Sequence, residues 1–184
     1  MIFVPQMVMI GGNSRNSGKT TLACSIIKKL AEKHEVIGLK VTSVRPGEDD
    51  LHGNHDEEVA EDFTIYEEIK TDSYKDTSKM LMAGAAHVYY IRVTETYYEQ
   101  AILHFLSKFI NKQLIVCESR GLRGIISPGL FLMMIRLPVY GKAKDITEYI
   151  PMADKIFNFD EDSGIIKHFV TNLYFENDKF VWSR

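Results

Sequence analysis

The run Gly11-Gly12-Asn13-Ser14-Arg15-Asn16-Ser17-Gly18-Lys19-Thr20-Thr21 lies between a short apolar stretch, Met7 to Ile10, and a segment whose apolar residues recur at four-residue steps. Few features constrain a chain more. A loop that turns from a buried strand straight into a helix points backbone N–H groups and the positive end of the helix dipole at one spot. Phosphates are expected to bind there. Gly18 lets the backbone approach closely, Lys19 reaches the β- and γ-phosphates, and the Thr20 hydroxyl ligates Mg²⁺. Asn13, Ser14, Asn16, Ser17 and Thr21 complete the cradle.

The loop departs from G-x-x-x-x-G-K-S/T at one position. Five residues before Gly18 stands Asn13, and the nearest upstream glycine, Gly12, is one residue earlier. Either Asn13 replaces the first glycine or the loop is one residue longer. The first reading is preferred here, because asparagine tolerates left-handed backbone better than most residues.

Strand-like and helical patterns alternate along the rest of the chain. Met7 to Ile10 reads as a central strand buried on both faces. Leu22, Ile26 and Leu30 mark one face of a helix from Lys19 to about Lys33. Val36 to Val41 is a second strand, and residues 44 to 62 are polar and without period, a long loop. Phe63 to Ile69 reads as an edge strand or hairpin arm, and Asp72-Ser73 as a cap for a helix from about Lys75 to Ala83. His87 to Val93 is a strand, and Tyr98, Ile102, Phe105 and Phe109 line a helix ending near Asn111. Gln113 to Cys117 is a strand delivering Glu118, and Leu130 to Leu137 another. Ala143 to Tyr149 reads as a short helix, Lys155 to Phe159 as a strand, and Gly164 to Val170 as helical or irregular. Residues 173–176 and 179–182 flank Asn177-Asp178 as a terminal hairpin. The alternation implies β-α-β units: an α/β protein, three layers in the P-loop NTPase manner, with a mostly parallel sheet.

With 184 residues and 45% hydrophobic content, the chain suits one well-cored domain, residues 1–184, and is short for two. A net charge of −3 with no basic stripe argues against nucleic acid as a partner. Cys24 and Cys117 are the only cysteines, too few for a disulfide framework or a cysteine zinc site, and both read as buried free thiols. The apolar N-terminus lacks the basic start and small-residue cleavage region of a leader, and no stretch approaches membrane-spanning length. No membrane role and a cytoplasmic location are therefore expected.

In open α/β sheets, ligands bind at the C-terminal edge of the strands, which brings scattered residues into one candidate site. The acid that completes an Mg²⁺ site in P-loop proteins ends an apolar strand, as Glu118 does after Leu114-Ile115-Val116-Cys117. Lys19 and Glu118 are thus the candidate catalytic residues, and Thr20 and Glu118 the metal ligands. Lys40 ends the second strand at the same rim and can contact an anion. Arg120 and Arg123 follow Glu118, where a guanidinium can clamp a phosphate or carboxylate. Arg15 within the loop, or an arginine from a second subunit, would serve as an arginine finger. His52, His55, Asp56 and Glu57 share one polar loop, read as a solvated acidic loop with a divalent-metal site as the sharper alternative. Asp76 and Thr77 are helix-cap residues or substrate contacts. No Asn-Lys-x-Asp string occurs, which leaves GTP and ATP open, and Asn16 occupies the position where dimeric partitioning ATPases carry a second lysine.

Asn16-Ser17-Gly18-Lys19-Thr20-Thr21-Leu22 resembles the phosphate loop of the molybdopterin-guanine dinucleotide biosynthesis protein B family. Gly38-Leu39-Lys40 resembles that family's second strand and its terminal lysine. Lys75-Asp76-Thr77 with Ala83-Gly84-Ala85, Glu118 at the end of a Walker B-like strand, and Ala153-Asp154 follow in the same order. The resemblance spans roughly residues 7 to 160. It implies a P-loop nucleotide-binding protein, dimeric, taking GTP or ATP with Mg²⁺ and assisting molybdenum-cofactor synthesis beside a protein partner. Two other functions fit the residues: a small-molecule kinase or ATP-dependent ligase of the dethiobiotin synthetase-like type, and a non-catalytic nucleotide-dependent adaptor.

Overall fold

The computed structural model describes residues 1–44, 63–109, 113–139 and 142–182. Seven strands form one sheet in the order β3-β4-β2-β5-β1-β6-β7: β1 (Ile2–Gly12), β2 (Val36–Ser43), β3 (Phe63–Glu67), β4 (His87–Val93), β5 (Leu114–Glu118), β6 (Ile126–Ile135) and β7 (Lys155–Asn158). All neighbours run parallel except β3, which pairs antiparallel with β4 at one edge. The protein is therefore α/β with a mostly parallel sheet. The terminal hairpin is present as β8 (Leu173–Glu176) and β9 (Lys179–Trp182). Its turn residues Asn177 and Asp178 both have positive φ, 51° and 59°, the conformation a two-residue hairpin turn requires.

β1 is central because its residues feed both faces. Val8 and Ile10 enter one core, with Leu22, Ile26, Ile27 and Leu30 of helix α1 (Lys19–Leu30). Met7 and Met9 enter the other, with Ala101, Ile102 and Phe105 of helix α3 (Tyr98–Ser107). Helix α2 (Asp76–Met82) through Met80, and helix α4 (Ser163–Thr171) through Phe169, lie on the α1 side. Helices on both faces of a parallel sheet explain why β1, β2 and β5 read as continuous apolar runs rather than alternating ones.

Several expectations need correction. β1 starts five residues before Met7 and contains Pro5. The register with β6 shifts between Val4 and Val8, and at such an irregularity the missing N–H costs no ladder bond. Gly129 faces that point; a side chain there would lie 1.9 Å from the Pro5 carbonyl oxygen. Residues 143–149 are not helical. The Asp145 carboxylate accepts hydrogen bonds from the Thr147 N–H (2.9 Å) and hydroxyl (2.8 Å), holding a turn, and only Ile150–Met152 forms a single 3₁₀ turn. The N-cap of α2 is Lys75, without a side-chain cap, rather than Asp72-Ser73. Ser73 instead pairs its hydroxyl with that of Ser78. Among the described residues, no helix is long and apolar enough to cross a membrane.

Candidate functional site

Strand register assembles the site. β5 lies between β1 and β2, so Glu118 stands level with Ile10 on one side and Lys40 on the other, at the rim where β1 runs into the loop before α1. Ile10, Glu118 and Lys40 thus form one row across three neighbouring strands.

Two glycines shape the loop, and neither of them is replaced by Asn13. A side chain at Gly12 would lie 2.5 Å from Ser17 Oγ and 2.9 Å from the Met134 carbonyl oxygen. Gly18 has φ of 85°, and its missing side chain is filled by the Phe159 ring, 2.0 Å from where a Cβ would lie. The left-handed asparagine is Asn16, at φ 58°; Asn13 is not among the positive-φ residues. The preferred reading of Asn13 as a left-handed stand-in is therefore overturned. Asn13 acts through its amide, which donates to the Arg136 carbonyl (3.0 Å) and accepts from the Arg136 N–H (3.1 Å), locking the loop to the end of β6.

Lys19 folds back over its own loop, donating to the Ser14 carbonyl at 2.7 Å and to Ser17 Oγ at 3.1 Å. Ser17 in turn donates to the Ser14 carbonyl at 3.1 Å. Burial lowers the Lys19 pKa; Glu118 opposes this, and Lys144 and Lys40 add to it. Thr20 donates its hydroxyl to Glu118 Oε2 at 2.7 Å, and the other carboxylate oxygen lies 3.8 Å from Lys40 Nζ. Glu118 is buried. Lys40 also binds Asp76, whose second oxygen is 3.3 Å from Lys79. Burial would lower the Lys40 pKa, but Glu118 and Asp76 outweigh it and hold the ammonium above its ordinary range. Burial would raise Asp76, and the bond and charge of Lys40, with Lys79, bring it below the usual value instead. Asp76 is thus an ion-pair partner rather than a cap, and Thr77 donates to Glu68 at 2.7 Å.

The remaining expected residues divide. Arg120 reaches across to the Asp145 carbonyl and lies 5.0 Å over the Tyr149 ring, beside the rim. Arg123 turns the other way: it donates to the Ile126 carbonyl (3.1 Å) at the start of β6 and contacts Met1, away from the rim. Arg15 and Thr21 are exposed, whereas Ser14 is buried. Cys117 is fully buried, with its thiol pKa pushed well up by burial, while Cys24 is only half-buried. The expected burial of Cys24 is corrected accordingly: it borders an open cleft of about 380 Å³ between α1 and α2, with Thr20, Ser25, Lys28 and Lys79. His52, His55, Asp56 and Glu57 lie outside the described residues.

Arg136, Phe159 and Lys144 are three further residues beside the loop. Arg136 donates to the Asn16 carbonyl (3.0 Å), pairs with Asp160 (3.1 Å) and stacks 5.2 Å over Phe159, the ring beneath Gly18. Lys144 gives its backbone N–H to the Asn13 carbonyl at 2.8 Å. None of the three carries a local sequence signal. Their one trace is position, following strands β6 and β7 at the edge where ligands of open sheets bind. Comparison of the chain with protein-family models, with curated proteins and with solved structures found no match.

Proposed function

We propose that this chain is a P-loop nucleotide-binding protein that takes GTP or ATP with Mg²⁺ and hydrolyses it slowly, and that it serves molybdenum-cofactor maturation as its sequence resemblance implies. One observation carries the nucleotide reading: the Thr20 hydroxyl and the buried Glu118 carboxylate meet at 2.7 Å at the mouth of a glycine-shaped loop that holds Lys19. Two hard oxygen donors, one of them anionic, suit a cation that keeps several waters and prefers few protein ligands. Mg²⁺ bound by Thr20 and Glu118 would supply charge neutralisation between the β- and γ-phosphates. Lys19, released from the Ser14 carbonyl, would donate to phosphate oxygens. The backbone N–H groups of the loop and the N-terminus of α1 would hold the anion. Glu118 also offers an acceptor for a water. Slow turnover follows from the arginines, since Arg136 and Arg120 are bonded to the Asn16 and Asp145 carbonyls and Arg15 is exposed.

A second reading, transfer to a small acceptor, draws on the cleft of about 380 Å³ that borders Thr20, a volume within the range of small-molecule sites. Calorimetric titration of Mg-GTP and Mg-ATP decides the main proposal. Wild type should bind one of them, and Lys19→Ala should weaken it by about 100-fold, the scale of two or three charge-assisted hydrogen bonds. Absence of binding by wild type overturns the proposal. Phosphate release without an added partner marks a hydrolase, release stimulated by an acceptor marks the transferase, and binding without turnover marks the adaptor.

A further inference from the structure

Helix α2 meets strand β2 along one seam. Gly38 and Lys40 lie two residues apart and share a face of β2, and Asp76 and Met80 lie four apart and share a face of α2. Glycine at position 38 lets the helix come close: a Cβ there would lie 3.3 Å from the Cβ of Met80, which is fully buried. With Met80 seated against Gly38, Asp76 one turn earlier reaches Lys40 two residues farther along the strand.

Lys40 stands between two carboxylates and divides itself unequally. It donates a hydrogen bond to Asp76, yet its ammonium lies 3.8 Å from Glu118 Oε1, beyond hydrogen-bond reach. Charge alone favours the opposite division. The Glu118 side chain is 8% exposed against 31% for Asp76, and attraction between charges strengthens away from water. The seam between α2 and β2 therefore decides where the ammonium goes. Lys79, one turn on, steadies Asp76 from its other oxygen at 3.3 Å. Glu118 meanwhile accepts from Thr20 at 2.7 Å through Oε2.

We propose that Asp76 is a positioning residue that holds Lys40 off Glu118, and so keeps the Glu118 charge open to the divalent cation that Thr20 and Glu118 would ligate. This rests on the nucleotide reading above and adds to it the residue that keeps the metal-directed acid uncommitted. An ammonium in full contact with Glu118 would neutralise the carboxylate and occupy the lone pairs that a hard cation needs. At 3.8 Å it still offsets part of the cost of burying that carboxylate.

Two measurements test this, one of them without a ligand. Crystal structures of ligand-free wild type and Asp76→Ala should show Lys40 Nζ closing from 3.8 Å to about 2.8 Å from Glu118. Asp76 is only half-buried, so the variant should fold. In calorimetry with a Mg-bound nucleoside triphosphate, Asp76→Ala should lose about tenfold in affinity, the scale of one charge-assisted contact, and less than about twofold with a chelator present. Adding Lys40→Met to Asp76→Ala should bring the affinity back to within about threefold of wild type, because the competing ammonium is gone. A residue that merely braces α2 would not be rescued by removing a second side chain. Lys40 staying 3.8 Å from Glu118 in Asp76→Ala overturns the proposal whether or not nucleotide binds. Equal losses with and without chelator, or a double variant no stronger than Asp76→Ala, also overturn it while leaving nucleotide binding in place. If wild type binds no triphosphate, the nucleotide reading falls, and the ligand-free structures alone decide whether Asp76 holds Lys40 away.

Discussion

The two flanks of the loop solve the same electrostatic problem differently. On the flank formed by β2, β5 and α2, each cation has an answering acid: Lys40 meets Asp76 and Glu118, and Lys79 meets Asp76. On the flank formed by segment 142–149, burial and the charges of Arg120 and Arg15 lower the Lys144 pKa, opposed by Glu118, and the Asp145 carboxylate is engaged by Thr147 and lies within the field of Arg120. The first flank is paired within itself by side-chain contacts.

The largest effect expected from any single change falls on the loop that joins the flanks. Gly18→Ala places a Cβ on the Phe159 ring and demands a left-handed backbone from a residue that resists it. Overpacking and φ strain together should cost about 2–4 kcal/mol, lowering the thermal midpoint by about 10 °C in a domain of this size. Adding Phe159→Ala should relieve the clash but not the φ strain, so coupling between the two sites, read from a double-mutant cycle, checks the contact itself. Independent, additive losses would mean that Phe159 does not support the loop.

Glu118→Gln comes next and breaks the paired flank alone. The amide still accepts the Thr20 hydrogen bond, but it loses the charge that faces Lys40 and the anionic donor for a hard cation. Nucleotide affinity in the presence of Mg²⁺ should fall by about tenfold to a hundredfold, whereas affinity measured with a chelator should change little. Equal weakening in both conditions would remove Glu118 from the metal.

The difference between the flanks also explains what could be read from the chain. Lys19, Thr20, Lys40 and Glu118 each follow an unbroken apolar run or open a periodic helix. Burial on both faces of a parallel sheet writes those patterns locally, and register then aligns them. Lys144 and Arg136 owe their positions to bonds with residues more than a hundred positions away, Asn13 and Asn16, which no local pattern encodes. The spacing of residues 143–149 permits a helix, but the bond from Arg120 to the Asp145 carbonyl and the turn at Thr147 outweigh that propensity. Asn13 misled in another way. Its tolerance for left-handed backbone is the visible property, but the fold uses its side-chain amide, and Gly18 and Asn16 take the left-handed conformations of the loop.

The smallest effect is the dependence of stability on pH, and its sign differs between the flanks. Asp76 has a lowered pKa, so its contribution is present above the unfolded value of 3.8 and is lost as pH falls through the folded value. Lys40 has a raised pKa. Its contribution is full below 10.5 and is lost as pH rises through the folded value. Lys19 and Lys144 are lowered, each by burial first, so the unfolded chain holds their protons more tightly; these two add stability as pH rises from the folded values toward 10.5. In the alkaline range Lys40 therefore pulls against Lys19 and Lys144. Lys40→Met should leave a protein whose thermal midpoint improves relative to wild type as pH is raised, and Lys144→Met one whose midpoint declines. Each difference should stay below about 1 kcal/mol, since these side chains are partly in water. If Lys144→Met and Lys40→Met show the same alkaline trend, the two flanks are not electrostatically distinct.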